Sequence, residues 1–467
     1  MEAKGQIRAG LKRELGAGSA TILVIANMIG TGIFATSGFI IEALGNPNAM
    51  LLCWFLGGII ALSGALCYGE LGAMFPRAGG EYVFVRESFG RLTGFLSGWI
   101  SLIVGFSAPI AAASIAFASY FFRVFPDGLT RTPLAPFIET GYFRISPPTL
   151  LAAGMIAIFS LIHCYSLYLG SRVQNLLTGF KIAVILVFIV AGLGFGNGSM
   201  DHFCPERGFG SVFSGGFATS LIFISFAYSG WNAAAYLGAE IKNPGKNIPL
   251  SLFWGTFFVM VLYLLLNIVF IYALPVSEMS GVIEIGATSA FALFGEGVER
   301  IFSAAITFCI LSVISAMIMA GPRVYYAMAR DDLFFERLGR VTKKHGVPAY
   351  SIILQAAIAI LMVITSSFDK LLLYIGFTLS LFATLTVIGM MVLRSKGLHL
   401  KSPYKTFGYP VTPILFILFN LWIILFCIKG NPMVFLYGAG TIGAGILGFF
   451  FFDGKGRKRR AAHTTEP

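Results

Sequence analysis

The stretch Ala26-Asn27-Met28-Ile29-Gly30-Thr31-Gly32-Ile33-Phe34 decides how this chain is read. It lies inside an apolar run, 17–44, that exceeds the roughly 20 residues a helix needs to cross a bilayer. A glycine inside a helix weakens it by roughly 1 kcal/mol against alanine and lets a ligand or a second backbone come close. Small residues also permit tight packing between membrane helices, so this Gly-x-Gly alone leaves both readings open. A second interruption, Ser225-Phe226-Ala227-Tyr228-Ser229-Gly230-Trp231-Asn232, falls inside a later run of the same kind.

The rest of the chain supplies the setting. Of 467 residues, 57% are hydrophobic and 12% charged, about half the roughly 25% charge of a soluble domain. Mean hydropathy is +0.83. Such a composition excludes a soluble enzyme, a disordered chain and a nucleic-acid binder. Twelve apolar runs are candidate spans 1 to 12: 17–44, 50–75, 92–122, 148–169, 173–195, 215–239, 250–273, 298–329, 349–366, 371–393, 411–428 and 433–452. The first is too long, too glycine-rich and too poor in small-residue cleavage sites for a signal peptide, and reads as a retained span. An even count puts both termini on one side. With the termini cytoplasmic, 25 Lys and Arg fall inside and 7 outside, the bias expected of inner loops. The tail Lys455, Arg457, Lys458, Arg459 and Arg460 reads as a topology anchor, with anionic lipid as an alternative partner.

The two interruptions occupy the first span of two five-span halves. Five is odd, so the second half would be inverted, as in many secondary transporters with discontinuous helices at mid-membrane. The expected organisation is a cytoplasmic N-terminus at 1–16, repeats at 17–195 and 215–393, two added spans at 411–452, and a basic cytoplasmic tail at 453–467. The fold class is an all-α integral membrane protein. Unwinding frees amides at the start of the second half-helix, where the dipole favours a carboxylate. It also frees carbonyls at the end of the first, which suit an ammonium. The substrate this predicts is an α-amino acid, its carboxylate on the amides of Gly30, Thr31 and Gly32, its ammonium on carbonyls near Met28 and Phe226.

Six scattered cysteines without a CxxC pair, five isolated histidines and no acid-rich cluster predict no metal, no cofactor and no catalytic constellation. A membrane-embedded enzyme is the rival of another class, and a channel a third option lacking any filter motif.

The chain resembles the amino acid–polyamine–organocation superfamily, near bacterial amino acid permeases and the L-type and cationic amino acid transporters. The matching residues are Ile29-Gly30-Thr31-Gly32-Ile33-Phe34, Tyr68-Gly69-Glu70-Leu71, Pro76-Arg77-Ala78-Gly79-Gly80-Glu81-Tyr82 and Arg172-Val173-Gln174 leading to Lys181. They continue with Phe226 to Asn232, Glu240-Ile241-Lys242-Asn243-Pro244 and Pro322-Arg323-Val324-Tyr325-Tyr326-Ala327-Met328-Ala329-Arg330-Asp331. These cover spans 1 to 8 in order. The resemblance implies a LeuT-like fold, a central site among spans 1, 3, 6, 8 and 10, and alternating access. It also implies Phe226 as a gate, with Ser229 and Asn232 shaping the side-chain pocket. Two departures stand out. Heteromeric L-type members carry a cysteine between spans 3 and 4 that ties them to a heavy subunit; residues 122–148 here contain none, so no disulfide-linked subunit is expected. Ser229-Gly230 also replaces the two glycines of many L-type members.

Lys181 follows Arg172 by nine residues, about 13–14 Å of helix, which brings it near mid-membrane. A lysine there is costly and should face the bundle interior. In related transporters this position stands where sodium-coupled members hold their ion. A fixed cation would then replace sodium between spans 1 and 8; Ser312 and Ser315 of span 8 are the hydroxyls a sodium site would use instead. His163 reads as a core histidine and Glu70 as a buried inner-end contact. No acidic residue lies within the site spans near either break, which favours neutral amino acids. The expected activity is sodium-independent exchange or proton-coupled uptake at the cell membrane, with a polyamine or organic-amine transporter of the same superfamily as the near rival.

Overall fold

Without water, a spanning segment must satisfy its own backbone hydrogen bonds, and a helix does so within itself. The computed structural model describes residues 13–124, 138–139, 144–165, 167–204, 208, 214–282, 284–342, 346–365, 368–397, 402–430 and 432–464. Among these the fold is helical apart from two paired two-residue strands, Ile138–Glu139 and Arg144–Ile145. Most of the expected N-terminal segment, and most of the loop between spans 3 and 4 used above to argue against a disulfide-linked subunit, lie outside the described residues. Helix Pro432–Thr464 carries span 12 into the basic tail.

Ten helices are long and apolar enough to cross a membrane among the described residues. Two of the twelve expected spans are shorter. Gly215–Ala227 is cut to 13 residues by the second break, and Ala349–Thr365 has 17. A further apolar helix, Ile285–Phe294, lies between spans 7 and 8, where the sequence reading expected only loop.

Helix starts follow local chemistry. Asn46 caps Pro47–Met74, its side chain accepting from the amides of Asn48 and Ala49, and proline occupies the first helical position, where no amide is needed. Pro244 opens Pro244–Ala273 in the same way. Leu176 and Leu447 are 74% and 75% exposed; in a chain this apolar, such faces suit lipid rather than water.

Packing pairs spans of the same rank in the two halves. Pro47–Met74 lies along Pro244–Ala273, Ala108–Val124 along Glu296–Ala320, and Pro147–Tyr165 along Ala349–Thr365. Spans 1 and 6 meet through their broken segments. Span 3 includes a π-helical stretch, Ser101–Ser107, a wider turn frequent at functional sites. Its Phe106 sits edge-on to Tyr236, ring centroids 5.2 Å apart.

At one end of the bundle, polar contacts join distant segments. Arg323 of span 8 donates to Glu240 through Nε at 2.9 Å and Nη2 at 3.2 Å, both side chains buried. The Glu240 carbonyl accepts from the amides of Glu14 and Leu15, each at 2.9 Å. This ties the chain preceding span 1 to the end of span 6. Glu70 is buried as expected, accepting from Arg394 at 2.9 Å and from the Thr406 amide at 2.7 Å.

Candidate functional site

Both glycine-marked runs lose their winding where the sequence suggests. Span 1 is helical over Ala17–Met28, extended through Ile29 and Gly30, and helical again over Thr31–Ala35 and Ser37–Leu44. Span 6 is helical over Gly215–Ala227, turns through 228–232, and forms one further helical turn at Ala233–Tyr236.

The breaks cross each other at two points, and glycine is needed at both. A Cβ on Gly32 would stand 2.5 Å from the Cα of Ala227. One on Gly230 would stand 2.8 Å from the carbonyl oxygen of Asn27, and Gly230 also adopts φ +93°, a conformation side chains disfavour. Gly30 is less confined: a Cβ there would meet Val313 at an ordinary 3.4 Å.

Tyr263 of span 7 clasps both breaks. Its hydroxyl lies 2.6 Å from the carbonyl of Met28 and 3.1 Å from that of Ala227. Losing this shared donor leaves two buried carbonyls unsatisfied, each at about 1–3 kcal/mol. Tyr263→Phe is therefore expected to lower the melting temperature of the purified protein in detergent by several degrees; an unchanged transition would show the clasp to be dispensable.

Lys181 is fully buried. Its ammonium donates to the carbonyls of Ala26, at 3.2 Å, and Ile29, the end of the first half-helix of span 1. Its electrostatic neighbour on span 8 is Cys309. Ser312 bonds within its own helix, to the Cys309 carbonyl at 3.0 Å, and Ser315 bonds His163 at 2.9 Å. Neither serine is hydrogen-bonded to Lys181.

The expected substrate contacts fall into two groups. Thr31 lines a cavity of about 440 Å³ with Ala35, Ser119, Tyr120 and Glu284, within the roughly 300–1,000 Å³ of small-molecule pockets. Ser229, Gly230 and Asn232 line a smaller cavity of about 70 Å³ behind span 6, where Ser380 and Asn420 share the walls with Ile60, Leu379 and Phe416. Phe226 is buried in the last turn before the second break, and its carbonyl accepts from the Ser229 amide at 2.9 Å. The Cα of Gly32 faces Ala227, and the Met28 carbonyl accepts from Tyr263.

One residue of this region escaped the sequence reading. Glu81, from the helix Glu81–Phe89 between spans 2 and 3, reaches under the second break. Its Oε1 accepts from Tyr68 at 2.6 Å and from Nδ2 of Asn232 at 2.8 Å. Burial pushes its carboxyl above the usual carboxylate range, opposed by hydrogen bonds from Tyr68, Asn232 and Tyr236. The spans hold no acid beside the breaks, yet the folded site borrows one from a loop helix. The only hint was its place in the Pro76 to Tyr82 segment.

Known proteins are similar to this chain over most of its length. The mouse large neutral amino acids transporter small subunit 2 is 28% identical over 94% of this chain and 81% of its own. The mouse b(0,+)-type amino acid transporter 1 is 29% identical over 95% and 88%. The serine/threonine exchanger SteT of Bacillus subtilis is 31% identical over 87% and 89%. The amino acid permease profile matches residues 15–451, a span that takes in both breaks, Lys181 and Glu81. With ten helices among the described residues long and apolar enough to cross a membrane, this chain is a multi-pass membrane protein that belongs to the amino acid permease family.

Proposed function

We propose that the protein moves neutral amino acids across the cell membrane by alternating access, as a sodium-independent exchanger. Amino acid transport follows from the family; the observation that supports the mechanism is the pair of facing breaks, with Lys181 bonded to the carbonyls of one of them. The substrate carboxylate meets the amides of Gly30, Thr31 and Gly32, and the ammonium meets carbonyls near Met28 and Phe226. Phe226 closes over it, while Ser229 and Asn232 border the side-chain pocket. Lys181 stands in for sodium, with Ser312 and Ser315 engaged elsewhere.

A LeuT-like arrangement of twelve spans is the architecture proposed, with both termini cytoplasmic and inverted repeats at 17–195 and 215–393. Its support is the packing of spans 2 on 7, 3 on 8 and 4 on 9, together with the uneven distribution of Lys and Arg. Residues 411–452 add two spans, and 1–16 and 453–467 lie in the cytoplasm. The relatives include proteins named as small subunits. This chain is proposed to work without a disulfide-linked partner, because 122–148 holds no cysteine.

The test is reconstitution in liposomes with a panel of labelled amino acids. The expected result is uptake driven by unlabelled amino acid inside, with no gain from a sodium gradient, and lost when the substrate's carboxylate is esterified. Uptake of polyamines, or indifference to the ester, would overturn the substrate assignment. Stimulation by a sodium gradient would overturn the role given to Lys181.

A further inference from the structure

Glu81 is 5% exposed, and a buried carboxylate is normally paired with a cation. Among the described residues, no lysine or arginine is hydrogen-bonded or ion-paired to it. Its partners are neutral: Tyr68 from span 2, Asn232 from the second break and Tyr236 from the helical turn after it. Beyond these stand Thr386 of span 10, against Tyr68, and Tyr325 of span 8, against Tyr236. The charged groups of its own helix are engaged elsewhere: Arg86 with Asp331 and Glu87, and Glu87 with Arg77. Arg323 and Arg394 pair with Glu240 and Glu70.

Two further features make this more than a buried acid. Glu81 borders the mixed cavity of about 70 Å³, to which Ser229, Asn232, Ser380 and Asn420 also turn polar groups. One water needs about 10–15 Å³ of such space, so a short chain of waters fits against the carboxyl. Its bond to Asn232, moreover, joins the loop helix to the unwound part of span 6, the part that moves if the breaks work as proposed above.

We propose that Glu81 is a proton-binding residue: it takes a proton from cavity water as residues 229–236 close against helix Glu81–Phe89, and returns it to water as they part. The inference rests on the alternating-access reading, since it needs that segment to move. In the closed arrangement the carboxyl is shielded from bulk water, with only the cavity beside it and no counter-charge, which favours the neutral form; opening hydrates it fully and favours the anion. Acid therefore holds this side closed and alkali frees it.

The experiment is exchange of labelled L-serine or L-leucine, whichever is faster, in proteoliposomes at equal pH on both sides. Between about pH 5 and 8 the wild-type rate is expected to rise with pH, with a limiting slope of about tenfold per unit for one proton. Glu81→Gln, fixed in the neutral form, should vary by no more than about twofold, well inside that single-proton slope. Tyr68→Phe removes a donor that stabilises the anion, so its midpoint should move to higher pH. A flat wild-type profile, a wild-type slope in Glu81→Gln, or an unmoved midpoint in Tyr68→Phe would overturn the proposal.

A melting series in detergent separates this inference from the transport reading. The folded state binds the Glu81 proton more tightly than the unfolded chain does. Stability should accordingly fall as pH rises from the unfolded carboxyl's range through the folded one. Glu81→Gln should lack that fall, and parallel curves for the two proteins would overturn the assignment even if wild-type liposomes moved no amino acid. Absence of all transport together with a Glu81-dependent melting curve would instead sink the transport reading and keep the proton site.

Discussion

Lys181→Met is expected to bring amino acid exchange close to background while the protein still elutes as a folded, monodisperse species. Methionine nearly matches the length of lysine and removes a buried charge that has no acidic partner among the described residues, whose desolvation is itself costly. The loss falls on the break. The carbonyls of Ala26 and Ile29 are freed because span 1 stops winding there, and the Lys181 ammonium is what they bond. Leaving both unsatisfied costs about 1–3 kcal/mol each, and about 3 kcal/mol against the working conformation is roughly a hundredfold loss of rate. Exchange at the wild-type rate in Lys181→Met would remove the lysine from the mechanism.

Gly32→Val is expected to abolish substrate binding. The new Cβ would stand 2.5 Å from the Cα and 2.8 Å from the Cβ of Ala227. Neither atom belongs to a flexible side-chain end, so one half of a broken span must shift. Overpacking of this kind costs about 1–3 kcal/mol or more, and the displaced backbone is the proposed binding surface. Gly30→Ala is the comparison: its Cβ meets Val313 at 3.4 Å and the Met28 carbonyl oxygen at 3.9 Å, both ordinary contacts, so binding should weaken far less. Equilibrium binding of labelled amino acid to the purified variants decides the matter. Wild-type affinity in Gly32→Val would show that the crossing of the breaks is unrelated to the site.

Features set by composition along one stretch of chain were legible in the sequence. Gly30, Gly32 and Gly230 marked the breaks because the two interruptions fall at matching places in two five-span halves, where tight packing alone would not require them, and Lys181 stood out as an isolated charge in an apolar run. What could not be read was which distant groups meet. Glu240 and Arg323 were both noted, but their pairing depends on how spans 6 and 8 converge. Ser312 and Ser315 had the chemistry for an ion site, yet helix rotation turned one to its own backbone and the other to His163. Asn232 was read toward substrate, and its amide donates to Glu81. Glu81 was missed for the same reason: a polar loop residue gives no sign that its helix will fold back beneath a membrane break.

The single phenol that touches both Met28 and Ala227 bears on how ligands should be ranked. Two rods fastened through one oxygen share whatever displacement a bound molecule imposes on either. The contributions of a solute's opposite poles are then not independent. A compound that keeps one pole and lacks the other should bind more weakly than halving the free energy would give, and with Phe at position 263 the two contributions should become closer to additive.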